Sequence, residues 1–194
     1  AIGRGGHRCL GMRNRPLPVH APAAPLEIIR AHVFHWAIWP DFSVIPTPEK
    51  PFMRFATIHV GEAIDIDGRK IVPLPANHTV PAVGYQVDSG HGSLVFTGDT
   101  GPCPELWQYV NQIRNLRYLI IECAFSNSEK RLAQASLHLC PSMLLDELTN
   151  LQRDAEVFIT HLKPGQIELT MQEIEDCIGE YRPGMLQNNQ LFEI

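Results

Sequence analysis

Three apolar, β-prone runs of the chain stop abruptly in polar residues. Ile71-Val72-Pro73-Leu74-Pro75-Ala76 runs into Asn77-His78-Thr79, and Val95-Phe96 runs into Thr97-Gly98-Asp99-Thr100-Gly101-Pro102. Glu156-Val157-Phe158-Ile159-Thr160 runs into His161-Leu162-Lys163-Pro164-Gly165. Runs of this kind read as strands, and the Pro and Gly that follow cannot continue them. His78, Asp99 and His161 therefore fall at the carboxyl ends of strands, where α/β proteins gather their chemistry.

Around these three runs the periodicity alternates between β and helical. A short strand is predicted at Leu17-Pro18-Val19-His20-Ala21, followed by a helix in which Leu26, Ile29, Val33 and Trp36 recur at helical spacing, with Pro25 in its first turn. Trp36, Trp39 and Phe42 surround Pro40 and read either as packing aromatics or as rings on which a base could stack. Three prolines make 43–51 a loop. Strands are predicted over 53–60, 62–66 and 69–74, with Asp67-Gly68 as a tight turn rather than part of a calcium loop.

A hairpin over 82–87 and 93–96 puts His91 at an exposed tip. Pro102 and Pro104 open a helix with Leu106, Val110 and Ile113 on one stripe, and 117–123 is apolar enough for a strand buried on both faces. After a polar loop at 126–130, Pro141 opens a helix with Leu144, Leu145, Leu148 and Leu151 inward. A capping box at Thr170-Met171-Gln172-Glu173 starts the last helix, and 189–194 is read as a closing strand. The sum is one mixed α/β domain over 1–194.

Composition narrows the class. The 194 residues are 44% hydrophobic and 19% charged, as in a folded globular chain. A net charge of −5 argues against a long nucleic acid as partner and suits a small phosphate-bearing substrate. Cys9, Cys103, Cys123, Cys140 and Cys177 show no Cys-x-x-Cys pair, so reduced thiols in a cytoplasmic protein are expected. No run reaches the ~18 apolar residues of a membrane span, so no membrane partner is expected.

Asp99 alone would read as a helix cap. Beside two histidines at equivalent strand ends it reads as a metal ligand, because imidazole and carboxylate suit zinc and two carboxylate oxygens can bridge two ions. The order Asn77-His78, Thr97-Gly98-Asp99-Thr100 and Thr160-His161-Leu162-Lys163-Pro164 resembles the later metal motifs of the metallo-β-lactamase superfamily. The nearest likeness is to its class II cyclic-nucleotide phosphodiesterases. Further resembling strings are His32-Val33-Phe34-His35-Trp36-Ala37-Ile38-Trp39-Pro40-Asp41-Phe42, Val80-Pro81-Ala82-Val83-Gly84-Tyr85, Ile120-Ile121-Glu122-Cys123-Ala124-Phe125 and Ser136-Leu137-His138-Leu139-Cys140-Pro141.

The resemblance implies an α/β fold of the αββα sandwich type and two divalent ions, zinc first, with manganese or iron as alternatives. It implies His78 on the first ion, His161 on the second and Asp99 bridging them. A metal-activated hydroxide would then open a 3′,5′-cyclic nucleotide, cyclic AMP or GMP, to the 5′-monophosphate. His138 is implied as proton donor or phosphate contact, against a structural histidine, and Glu122 as orienting a ligand histidine, against a solvated strand end. A related tRNA 3′-end endonuclease is the alternative enzyme.

The superfamily's His-x-His-x-Asp-His loop does not occur in the sequence, and Ala1-Ile2-Gly3-Arg4-Gly5-Gly6 reads as a helix tail entering a glycine-rich loop. The expectation is an α/β domain incomplete at its amino-terminal side, inactive by itself and prone to associate, a homodimer being one outcome.

Overall fold

The computed structural model describes residues 15–178 and 181–194. The readings of Ala1 to Gly6 and of Cys9 lie outside the described residues. The chain divides into two compact units between His59 and Val60.

In the first unit, β1 (Leu17–Ala21) pairs in parallel with β4 (Met53–Thr57), and α1 (Ala23–His32) follows β1. A small ribbon is made by β2 (Pro46–Thr47) and β3 (Lys50–Pro51). The helix stops short of the predicted Trp36, because the amides of Val33 and Phe34 both turn back to the Ile29 carbonyl. Trp36 then adopts φ 71° and its amide bonds the Trp39 carbonyl. Trp36 and Trp39 consequently face outward, whereas Phe42 packs on Phe34 and Phe52.

The second unit is one seven-stranded sheet. Its strands are β5 (Ile64–Ile66), β6 (Arg69–Pro75), β7 (Val83–Asp88), β8 (Ser93–Phe96), β9 (Leu116–Glu122), β10 (Glu156–Thr160) and β11 (Gly184–Met185), in the order β11-β10-β9-β8-β7-β6-β5. Strands β5 to β8 are joined antiparallel, and β8 to β11 are parallel. Because β7 alone reverses between β6 and β8, the strands β6, β8, β9 and β10 all end on the same edge.

Alternation along these strands sends Leu74, Val95, Leu119, Ile121, Val157 and Ile159 to one face, as the two-residue period of a strand requires. That face is covered by α2 (Pro104–Val110), α4 (Pro141–Leu148) and α5 (Ile167–Ile178) through Leu106, Val110, Leu144, Leu148, Ile174 and Ile178. Glu147 on α4 ties this layer together by accepting from the Trp107 indole at 2.8 Å and the Cys103 amide at 3.1 Å. No helix among the described residues is long and apolar enough to cross a membrane.

Sequence and structure also differ at three later places. A helix not foreseen, α3 (Lys130–Ser136), fills the stretch before His138. Helix α5 begins at Ile167, so Thr170 lies inside it, buried, and no capping box forms. The predicted strand over 189–194 is irregular, and Phe192 instead packs against Tyr118 and Phe158.

Candidate metal centre

The common edge of β6, β8, β9 and β10 is where the candidate side chains meet. Beyond β6 the chain passes through Asn77 to His78. Beyond β8 it turns at Gly98, whose φ of 65° is reached by glycine without a steric penalty, and presents Asp99. Strand β9 ends in Glu122 and β10 in Thr160, which are register partners, and His161 follows with φ 62°. His138 comes from the link between α3 and α4, after Leu137 takes φ 53°.

Backbone bonds lock these loops to one another. The Asn77 amide donates to Thr100 Oγ1 at 2.9 Å, and the Gly101 amide donates to the Asn77 carbonyl at 2.8 Å. A Cβ at Gly101 would lie 3.2 Å from Leu137 backbone atoms, so the β8 loop and the His138 link touch.

Donor atoms of His78, Asp99 and His138 all lie within 4.8 Å of one another. The His78 and His138 rings are 4.8 Å apart, and His138 stacks on His161 at 5.1 Å. His161 Nε2 is 3.8 Å from Asp99 Oδ2. All four residues singled out in the sequence are thus neighbours. The three-donor group takes in His138, expected from the resemblance as a proton donor or phosphate contact, and leaves His161 beside Asp99.

The histidine tautomers suit a metal. His78 Nδ1 lies 3.3 Å from the Leu137 carbonyl, which can only accept, so its proton sits on Nδ1. His138 Nδ1 is 2.6 Å from Glu122 Oε1. Each ring therefore keeps Nε2 for the centre, with a carbonyl or carboxylate fixing it from behind, the usual support of a ligating imidazole. Two imidazoles and a carboxylate at this spacing suit a divalent metal ion.

Glu122 is fully buried, which excludes the solvated strand end. Its carboxylate also accepts from the amides of Thr100, Ala124 and Leu139 at 2.8, 3.2 and 3.2 Å. Burial nevertheless pushes its pKa up to about 7, against the pull of the Thr100 and Leu139 amides. The His138 pKa is lowered, first by burial and then by His78. Both shifts disfavour the charged form, and burial is the leading cause of each. His161 and Asp99, by contrast, are each nearly half exposed. The centre has a dry side at Glu122 and a wet side at His161. His91, at the hairpin tip, is exposed and takes no part.

A family model described as a beta-lactamase superfamily domain matches residues 7–167. Ribonuclease Z of Mycobacterium tuberculosis is 31% identical over 101 residues, covering 48% of this chain and 36% of that protein. Among solved structures, unliganded yeast PDE1 has a TM-score of 0.73 at 19% identity, covering 89% of this chain and 58% of that one. YhfI of Bacillus subtilis, a metallo-β-lactamase fold protein, has a TM-score of 0.67 at 15% identity, covering 92% and 66%. The chain spans about a third of that ribonuclease Z. The structural likenesses carry the α/β fold class expected from the sequence, and the family model spans most of the chain. The chain belongs to the metallo-β-lactamase superfamily.

Proposed function

We propose that this chain is part of a metal-dependent phosphodiesterase that opens 3′,5′-cyclic nucleotides to nucleoside 5′-monophosphates. The observation that carries the reading is the convergence of His78, Asp99 and His138 within 4.8 Å, with His161 at Asp99 and the buried Glu122 behind His138. His78, Asp99 and His161 would hold divalent ions, zinc by the chemistry of the donors, and these would supply Lewis acidity and a water acidified towards pKa ~7.

The side chains do the rest. Asp99 would hold the ions together with His78 and His161 beside it. His138 is aimed by Glu122 as the proton donor to the departing 3′ oxygen: a proton taken up at Nε2 from the attacking water would pass to that oxygen and leave the imidazole neutral. The half-exposed side at Asp99 and His161 is where substrate enters. The net charge of −5 supports a small substrate over a long polyanion.

The match to ribonuclease Z favours a second reading, a tRNA 3′-end endonuclease. The two separate in one assay of the purified zinc-loaded protein that contains this chain, scoring 5′-AMP released from cyclic AMP and trimming of a precursor tRNA. Cyclic AMP turnover without tRNA cleavage is expected, and the reverse pattern assigns the second reading. Asp99→Asn should abolish turnover together with bound metal, and His138→Ala should lower kcat by about 10²–10⁴ with metal still bound. Full turnover in Asp99→Asn would sink both readings.

A further inference from the structure

Lys163 stands two residues beyond His161, on the loop leaving β10, and is half-buried. Its ammonium lies 3.3 Å from the centroid of the Phe125 ring. Phe125 is itself buried, and its ring lies 5.8 Å from that of His138. The cation is therefore held one aromatic ring away from the centre.

What it lacks is as telling as what it touches. Among the described residues, the ion pairs are His138 with Glu122 and His161 with Asp99, and neither engages Lys163. An aromatic face attracts the positive charge but accepts none of its three N–H donors in the way an oxygen does. A half-buried ammonium parked on a rigid ring, with its donors unspent, is preorganised for a ligand that brings oxygens and negative charge. The nearby carboxylates cannot fill that part: Glu122 is fully used by three amides and His138, and Asp99 faces His161.

We infer that Lys163 is the anion-recognising residue of this centre, donating to a non-bridging phosphoryl oxygen of the bound ester while Phe125 fixes its ammonium. The inference rests on the phosphoester part of the proposed function and not on the nucleotide being cyclic. The phosphoryl charge is present before and after bond cleavage, so Lys163 binds substrate and product alike. Its removal should raise KM and weaken product binding while kcat changes little.

Two variants of the zinc-loaded protein containing this chain test it. Lys163→Met keeps an unbranched apolar stem on Phe125 and removes the charge; Lys163→Arg keeps the charge and can stack. The probes are 5′-AMP and inorganic phosphate in calorimetric titration, and bis(4-nitrophenyl) phosphate for kinetics, each with bound zinc and the thermal midpoint measured on the same sample. Lys163→Met should weaken 5′-AMP and phosphate binding by about ten- to a hundredfold, as expected for losing a charged hydrogen bond, and raise KM with kcat within about threefold. Lys163→Arg should restore binding to within about fivefold of wild type.

Equal phosphate and 5′-AMP affinity in wild type and Lys163→Met overturns the assignment, as does a wild type that binds neither. Loss of zinc or of thermal stability in both variants overturns it too, because Lys163 would then be holding the site rather than its ligand. A wild type whose phosphate affinity depends on Lys163, yet which leaves cyclic AMP intact, keeps the assignment and sinks only the cyclic-nucleotide reading.

Discussion

Glu122 is a carboxyl group raised to about pH 7 in the fold and returned to 4.5 when the chain unfolds. The folded state thus holds its proton more tightly, so this group contributes stability that is fully present below about 4.5 and is lost as pH rises through about 7. Urea midpoints of the metal-free protein and of Glu122→Gln, taken at about pH 5 and about pH 8, should show the wild type gaining on the variant as pH falls. A gap between the two proteins that does not change with pH would show that the carboxyl is not raised. The same variant should also lower kcat with zinc still bound, because His138 loses the acceptor that aims its ring. The strand-end pattern was enough to single out His78, Asp99 and His161. It could not decide Glu122, whose burial depends on the Leu137-His138-Leu139 turn closing over it. Leu137 supplies the needed left-handed conformation without the glycine that would have marked it.

At the scale of elements, the sheet was legible wherever apolar runs met Pro, Gly or polar stops, and the helices less so. Helix α3 has a single buried residue, Ala133, so there was no apolar stripe to see. Helix α5 was read as starting at Thr170, but the Thr170 amide already bonds the Gln166 carbonyl, and Glu173 accepts from the Asn127 amide at 2.7 Å instead of capping its own helix. A side chain was credited with a local bond that the fold uses elsewhere. Two substitutions probe the layers. A Cβ at Gly84 on β7 would sit 2.8 Å from the carbonyl oxygens of Phe96 and Thr97, backbone that cannot step aside. Gly84→Ala should cost about 1–3 kcal/mol in urea unfolding and disturb the Asp99 turn that begins there. Trp107→Phe removes the indole donor to the buried Glu147 and should cost a similar amount, about 1–3 kcal/mol, leaving zinc affinity unchanged.

For the whole molecule the candidate centre is a linkage point. The ions would be held by loops from three strand ends, those that carry His78, Asp99 and His161, so binding requires all of them folded. Zinc at about 100 times its dissociation constant should add about 2.7 kcal/mol to unfolding, and a chelator should remove that increment. A thermal midpoint indifferent to zinc would mean that the donors do not gather an ion in solution. The acidic balance sets a second global property: with a net charge of −5, small anionic ligands reach the centre against the average field and depend on local cations.

The dry and wet sides of the centre also differ in lifetime. Strand β9 runs between parallel β8 and β10, with Leu119, Ile120 and Ile121 almost without solvent contact. Its amide hydrogens should exchange with deuterium only when the sheet opens as a unit, whereas the loop from 161 to 165, past the last ladder pair, should exchange through local fluctuation. Glu122 and His138 then form a template that persists as long as the fold. The loop carrying His161 and Lys163 should open on a faster clock, with the Glu122–His138 hydrogen bond left intact.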